Sequence, residues 1–250
     1  MSRLSGFVRS WVLPFADPRR PASLVRLPGF FLDFLRYRKR ALGEPVHLRD
    51  AYPCLLDRTT RTPFDPHYLY QGAWLAHRLA DDRPTMHVDI GSSVLLISVL
   101  SGQVPIVFVD YRPLAARLTG VTSVAASVTS LPFADRSIAS LSSLHVVEHV
   151  GLGRYGDPLN PEGSRQALHE LERVLYPGGR LYLSVPVGRP RVCFNAHRVF
   201  DPTSIPPNLP GLACREFSVV DDSGRFIERA DPTDFRDLEY GCGMYLLEKG

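Results

Sequence analysis

Met86-His-Val-Asp-Ile-Gly91-Ser-Ser93 is the stretch whose reading decides the fold. A short apolar run that stops at a glycine reads as a strand closing on a tight turn, where glycine takes a left-handed φ and lets a ligand approach the backbone. Working outward, Pro105-Ile-Val-Phe-Val-Asp110 is too short for a helix and β-branched enough for a second buried strand, and apolar Val94 to Leu100 between them reads as helix. Upstream, His67 to Ala80 carries Tyr70, Trp74, Leu75 and Leu79 on one helical face, with Asp65 as N-cap and Pro66 at the first helical position. Downstream, strands are expected over Val121–Ala126, Ser137–Leu144, Arg180–Val185, Glu216–Asp221 and Gly243–Glu248. Pro161 to Leu175 reads as a helix stopped by Pro177-Gly178-Gly179. Alternation of strand and helix from about residue 67 to 185, then two strands without a clear helix, predicts an α/β fold. The expected architecture is a Rossmann-like doubly wound seven-stranded sheet with an antiparallel last strand.

Hydrophobic residues make up 44% and charged residues 22% of the 250, values of an ordinary globular chain that exclude a disordered or repeat-dominated protein. The length suits one α/β domain with additions, so residues 1–66 are read as a proline-broken basic extension and 67–250 as the domain. Cys54, Cys193, Cys214 and Cys242 lie far apart, without C-x-x-C spacing; no disulfide framework and no metal site are expected, and a cytoplasmic setting is the default. No apolar run approaches the roughly 20 residues of a membrane-spanning helix, and Arg9 and Asp17 interrupt any signal-peptide core. Residues 1–43 hold nine basic residues against Asp17 and Asp33, a net +7 within an overall +3. Phe7, Trp11, Phe15, Phe30, Phe31 and Phe34 share that segment. Such residues either pack on the domain while the arginines stay solvated, or lie on anionic lipid, which makes residues 1–43 a candidate peripheral membrane contact. Pro14, Pro18, Pro21 and Pro28 argue against a long helix over 14–28. Nucleic acid is not an expected partner, because the chain beyond residue 43 is acidic.

Ligands of such sheets bind at the carboxyl ends of the strands, near the point where strand order reverses. Gly91 ends the first strand, and Asp110 ends the second about 20 residues on, where a carboxylate can accept both ribose hydroxyl protons. The simpler alternative is that Gly91 only closes a turn and Asp110 only caps the next helix.

With these blocks in view, the sequence resembles the class I S-adenosylmethionine-dependent methyltransferases over about residues 67–185. Four matches occur in order: His87-Val-Asp89-Ile-Gly91; the Val109-Asp110 strand end; Ser130-Leu131-Pro132-Phe133 through Ile138 into Leu144-His145-Val-Val-Glu148-His149; and Leu175-Tyr-Pro177-Gly178-Gly179-Arg-Leu181. With Phe194-Asn195-Ala196-His197-Arg198 and Tyr240-Gly241-Cys242-Gly243, the whole chain is most similar to the branch called domain of unknown function 268. The resemblance implies S-adenosylmethionine as cofactor, with Asp89, Gly91 and Ser92 along its methionine and ribose part, Asp110 on the ribose hydroxyls, and Leu131 bordering the adenine. It also implies a small-molecule acceptor, and its association with surface-polysaccharide pathways suggests a sugar or glycan-precursor hydroxyl. Two departures stand out. Ser93 and Leu95 replace the second and third glycines of the family loop, and Ser127 replaces the acid that meets the adenine amino group, so charge assistance is lost. A non-catalytic, methyltransferase-like binding domain is the alternative.

Methyl transfer needs a positioned nucleophile and often a proton acceptor. His145, Glu148 and His197 are the expected catalytic residues by type and place, with His149 read as a packing or capping residue. His145-Val-Val-Glu148-His149 also matches H-x-x-E-H, but that zinc motif needs both histidines on one helix, and here they come after a strand. No G-x-G-x-x-G, G-x-S-x-G or Walker loop is present, which disfavours a nicotinamide dehydrogenase, an α/β-hydrolase and a P-loop enzyme.

Overall fold

The structure, a computed structural model, describes residues 21–112 and 114–250. The chain divides into two compact units at Phe64/Asp65. In the second unit, strands β1 (His87–Ile90), β2 (Ile106–Asp110), β3 (Val121–Ala125), β4 (Ile138–Leu144), β5 (Leu175–Val187), β8 (Leu212–Val220), β9 (Phe226–Ile227) and β10 (Gly241–Lys249) form one sheet. A separate hairpin joins β6 (Arg191–Cys193) to β7 (His197–Val199). The sheet order is β3-β2-β1-β4-β5-β10-β8-β9, eight strands instead of the seven expected, the extra one being the two-residue β9 at the edge. Strands β1 to β5 pair in parallel, and β10 inserts antiparallel between β5 and β8, as an antiparallel last strand requires. Order reverses between β1 and β4, which places a ligand crevice at their carboxyl ends.

Helices α2 (Pro66–Asp82), α3 (Val94–Leu100) and α4 (Gly163–Val174) flank this sheet, after α1 (Leu27–Arg40) of the first unit. Asp65 caps α2 by accepting a hydrogen bond from the Tyr68 amide at 3.2 Å, with Pro66 opening the helix. Alternation along the strands sorts the core into two faces. Phe108, Tyr182 and Met244 point toward Trp74, Leu75 and Leu79 of α2 and Ile97 and Leu100 of α3. Their neighbours Val109, Leu181, Leu183 and Tyr245 point the other way, onto Ala167, Leu168, Leu171 and Val174 of α4.

Two expectations need correction. Strand and helix do not alternate throughout 67–185: among the described residues no helix joins β2 to β3 or β3 to β4. Both connections are short: residues 126–137, with three serines, Thr129 and Pro132, form turns, residues 114–118 run without regular structure into a turn at Thr119-Gly120, and β3 stays half-exposed at the sheet edge. Nor does Pro177-Gly178-Gly179 stop α4. The helix ends at Val174, Leu175 already pairs with Ile138, and residues 176–179 bulge out before Arg180 resumes the ladder opposite Ser140.

In the first unit, a 3-10 turn over Pro21–Arg26 leads into α1, fourteen residues long. Pro28 does not prevent it, because at the helix start no acceptor is waiting for the missing N–H. No residue of α1 is buried: Phe30 and Phe34 are half-buried, and Phe31 is 37% exposed. Phe7, Trp11 and Phe15 lie outside the described residues. Among the described residues, no helix is long and apolar enough to cross a membrane.

Leu171 is fully buried under the sheet, whereas Leu95 on the exposed side of α3 is 76% exposed. Leu171→Ala is expected to destabilise the domain by about 2–5 kcal/mol through lost burial and a cavity, while Leu95→Ala should stay within about 0.5 kcal/mol. Urea unfolding checks both, and equal effects would mean that α4 does not seal the core.

Candidate active site

A cleft lies over the carboxyl ends of β1, β2 and β4. Gly91, Asp110, Arg112, Ser127, His145, Val146, His149, Tyr155 and Asp157 are among its lining. Gly91 has φ +65°, and an added Cβ would come to 3.3 Å from Val146, so both conformation and space call for glycine. Asp110 accepts a hydrogen bond from the Arg112 amide at 2.7 Å, and its second carboxylate oxygen remains toward the Gly91 turn, 3.7 Å from where a Cβ would sit. On the far wall the Arg112 guanidinium lies 4.4 Å over the Tyr155 ring, and Asp157 accepts from the amides of Gly151 at 2.7 Å and Tyr155 at 3.2 Å. Gly151, at φ +79°, has no room for a side chain, because a Cβ would overlap the Asn160 carbonyl.

Not every expected cofactor residue faces this cleft. Gly91, Asp110 and Ser127 do. Asp89 is fully buried, accepting hydrogen bonds from the Ser142 hydroxyl and the Ser92 amide. Ser92 is buried too, its hydroxyl accepting from the Leu144 amide at 3.0 Å, which ties the turn to β4. Leu131 is buried beside Glu170 and Arg173, with its amide donating to Glu170 at 2.9 Å and its carbonyl accepting from Arg173 at 3.1 Å. Asp89 pairs with Ser142 across the β1–β4 seam and accepts a hydrogen bond from its hydroxyl, which keeps it inside the sheet, whereas Gly91 lies past the end of β1 at the cleft. Ser93 caps α3 at φ −60°, an ordinary value for any residue, so the absent second glycine imposes no strain on this loop.

His145 comes directly after β4 with φ +54°, a left-handed backbone uncommon outside glycine. Its Nδ1 lies 2.7 Å from Glu148 Oε1. Burial works against charge on this ring, but the Cys242 and Glu148 side chains outweigh it and hold its pKa well above the ordinary histidine value. Glu148 is fully buried behind His145, on the 3-10 turn Val147–His149, and does not line the cleft. That three-residue turn is not the helix a zinc-protease motif needs. His149 does line the cleft; its Nδ1 lies 2.6 Å from the Ala196 carbonyl and 3.2 Å from an Arg154 guanidinium nitrogen, and its Nε2 lies 3.6 Å from Glu148 Oε1. Burial lowers its pKa. His197, at the start of β7, packs 4.9 Å from the Tyr240 ring outside the cleft lining, and burial lowers its pKa as well. Sequence reasoning missed Arg112, Tyr155 and Asp157, and gave His149 only a packing role; these residues lie on loops where no periodicity marks a facing direction.

Below the cleft, His87 spans Ser140 at 2.7 Å and Ser142 at 2.8 Å, and Ser142 in turn donates to Asp89. Burial drives the His87 pKa down to about 3 and the Asp89 pKa up to about 6, the latter offset in part by the hydrogen bonds from Ser142 and Ser92. Their effects on stability oppose each other. Between about pH 6.5 and 3 only the unfolded state protonates His87, so stability falls on acidification; between about pH 6 and 4 only the folded state keeps the Asp89 proton, so stability rises. Each slope is about 1.4 kcal/mol per pH unit, and they cancel over roughly pH 4–6. Asp89→Asn is therefore expected to be more stable than the parent at pH 7 and to lose roughly 3 kcal/mol of that advantage by pH 4. Denaturant unfolding at both pH values measures the difference, and parallel curves would contradict it.

Comparison with known proteins agrees with this topology. The family described as "Caenorhabditis protein of unknown function, DUF268" matches residues 102–214. No curated protein matches the chain. The fold is that of the class I methyltransferases. The N-methyltransferase NodS from Bradyrhizobium japonicum WM9, solved with S-adenosyl-L-homocysteine, superposes with a TM-score of 0.54 at 14% identity, covering 86% of this chain and 98% of that one. The cyclase SpnF superposes with a TM-score of 0.54 at 14% identity over 79% of this chain and 88% of its own. Geranyl diphosphate C-methyltransferase from Streptomyces coelicolor A3(2) gives a TM-score of 0.50 at 13% identity, covering 71% of this chain and 79% of that one.

Proposed function

We propose that this chain transfers a methyl group from S-adenosylmethionine to a small polar acceptor, such as a hydroxyl of a sugar or glycan precursor. The observation that carries the reading is the placement of Gly91 and Asp110 side by side on one cleft wall, at the reversal of strand order where folds of this kind take nucleotides. The residues fit the cofactor. A carboxylate faces the cleft where ribose hydroxyls need an acceptor, and the Gly91 turn is a cradle that a Cβ would fill. Asp110 would hold the ribose, Gly91 the methionine end, and Ser127 with Ala126 and Val128 the adenine. The bound cofactor supplies an electrophilic methyl on a sulfonium.

The chain's own work is then to orient the acceptor and receive its proton. His149 suits the second task, since it lines the cleft, the Ala196 carbonyl holds its ring, and burial lowers its pKa toward the neutral, proton-accepting form. His145, tied to Glu148 and favoured in its charged form, is better suited to orienting and donating. The reading revises the expected roles: Glu148 positions His145, and His197 stands outside the cleft lining. Asp110→Ala is expected to weaken S-adenosylmethionine binding by about 1–3 kcal/mol, the loss of charge-assisted hydrogen bonds. Calorimetric titration of parent and variant tests it. No binding by the parent at millimolar cofactor would favour the non-catalytic binding domain.

The same proposal includes a peripheral membrane contact through residues 1–43. Leu24, Val25, Phe31, Leu32, Leu35 and Tyr37 are exposed on and next to α1, which ends in Arg38, Lys39 and Arg40. Flotation with anionic but not neutral vesicles, reduced by salt and lost on deleting residues 1–43, is the expected result. Equal flotation of the truncated protein would remove the segment from consideration.

A further inference from the structure

Three donor side chains remote in sequence meet beside the cleft. His67 comes from the first turn of α2, His145 from the end of β4 and Cys242 from β10, and one donor atom of each lies within 4.8 Å of the others. The His145 side chain is only 6% exposed; its Nδ1 is bonded to Glu148, its Nε2 makes no hydrogen bond of ordinary geometry, and the Cys242 thiol is the other polar group facing the ring. A buried ring nitrogen without an ordinary hydrogen bond costs about 1–3 kcal/mol and calls for a physical reason. The imidazoles of His67 and His145 lie nearly parallel, centroids 5.6 Å apart, and Tyr240 stacks on His67 at 5.4 Å.

We propose that His67, His145 and Cys242 bind one zinc-class divalent cation, with Glu148 as the positioning residue that fixes the His145 ring. A histidine that gives one nitrogen to a carboxylate and leaves the other open is the arrangement of a metal ligand with its outer-sphere support. Two imidazoles and a thiolate form a nitrogen–sulfur donor set of borderline softness. It disfavours Mg²⁺ and Ca²⁺, which need oxygen ligands, and suits Zn²⁺, whose fourth tetrahedral position stays open for water or an acceptor atom. A tetrahedral zinc site has ligand–ligand edges of roughly 3.3–3.7 Å, and the three donor atoms already lie within 4.8 Å of one another, so closing on a cation asks for a shift of at most about 1.5 Å. His67 can supply it: it is half-buried on the first turn of a helix, whereas His145 and Cys242 are held in the interior. A thiol nucleophile activated by His145 is the poorer account, because Cys242 is 0% exposed in mid-sheet, out of a substrate's reach.

The sequence expectation of no metal site rested on local spacing, which cannot register ligands brought together by a helix, a parallel strand and an antiparallel one. A cation competes with a proton for His145, so the site excludes the donating role given to His145 above, and its test reads no activity. The full-length protein is stripped with a chelator and titrated with Co²⁺, in the absence of S-adenosylmethionine. One equivalent should bind with a thiolate-to-cobalt charge-transfer band and visible bands of tetrahedral intensity, both removed by one equivalent of Zn²⁺ and untouched by Mg²⁺. Cys242→Ser should abolish the charge-transfer band, which also separates Cys242 from the exposed Cys54 and Cys214. Glu148→Gln should weaken Co²⁺ binding about 10–100-fold while leaving the band's energy in place. His67→Gln, at a half-buried position, should weaken binding at least as much and carries the test if Cys242→Ser does not fold. Failure of the parent to take up one equivalent, or uptake unchanged in His67→Gln, overturns the proposal.

Discussion

Asp89 and Ser142 face each other across the seam between β1 and β4, and the rest of the site depends on what they bury there. A carboxyl group, two serine hydroxyls and an imidazole are linked in one chain, Ser140 to His87 to Ser142 to Asp89, with the Ser92 amide closing the near end. In a dry interior such a chain holds only if its members satisfy one another, and satisfied it defines a single register. Asp89 and Ser92 thereby lock the Gly91 turn to β4, since Ser92 also receives the Leu144 amide. The turn, the β4 terminus and His145 are therefore held as one piece, and the cleft opens over that piece.

The second constraint is the loop after β4. Arg198 reaches from β7 to the carbonyl of Val150 at 2.6 Å and the hydroxyl of Ser164 at 2.8 Å, binding the 147–164 segment to the hairpin. Ser164 in turn donates to the Val147 carbonyl at 2.7 Å. This brace supports the turn carrying Glu148 and His149, so that a buried carboxylate without an arginine partner can sit between two imidazoles, 2.7 Å from one and 3.6 Å from the other. A site built this way has its polar groups oriented before any ligand arrives, and that orientation gives such groups their effect in a water-poor cleft. The fold alone does not choose the reaction, since methyltransferases and a cyclase share it; the side chains at the strand ends do.

Much of the architecture was legible in the chain. The apolar runs at 87–90 and 106–110, the capped helix after Asp65 and the antiparallel last strand all come from periodicity and terminal signals, which act over a few residues. Gly91 and Asp110 were also legible, because a strand's carboxyl end is a local feature. The missing helices around β3 were not: a parallel pair needs a crossover, but nothing requires that crossover to be helical.

The sequence by itself determined the seven principal strands, the helices α2, α3 and α4, the place of the turn at Gly91 and the acid after β2, since each is encoded within one window of the chain; α1, the β6–β7 hairpin and β9 emerged only in the structure. Only the tertiary structure decided direction and company. It turned Asp89 and Ser92 into the sheet while Gly91 and Asp110 face the cleft, and it put His149 on the cleft wall and His197 against Tyr240. It also gathered His67, His145 and Cys242 from three separate elements. The reason is physical: a side chain's neighbours are set by sheet order and by which face of each strand the core covers, and neither quantity is a property of any short stretch of sequence.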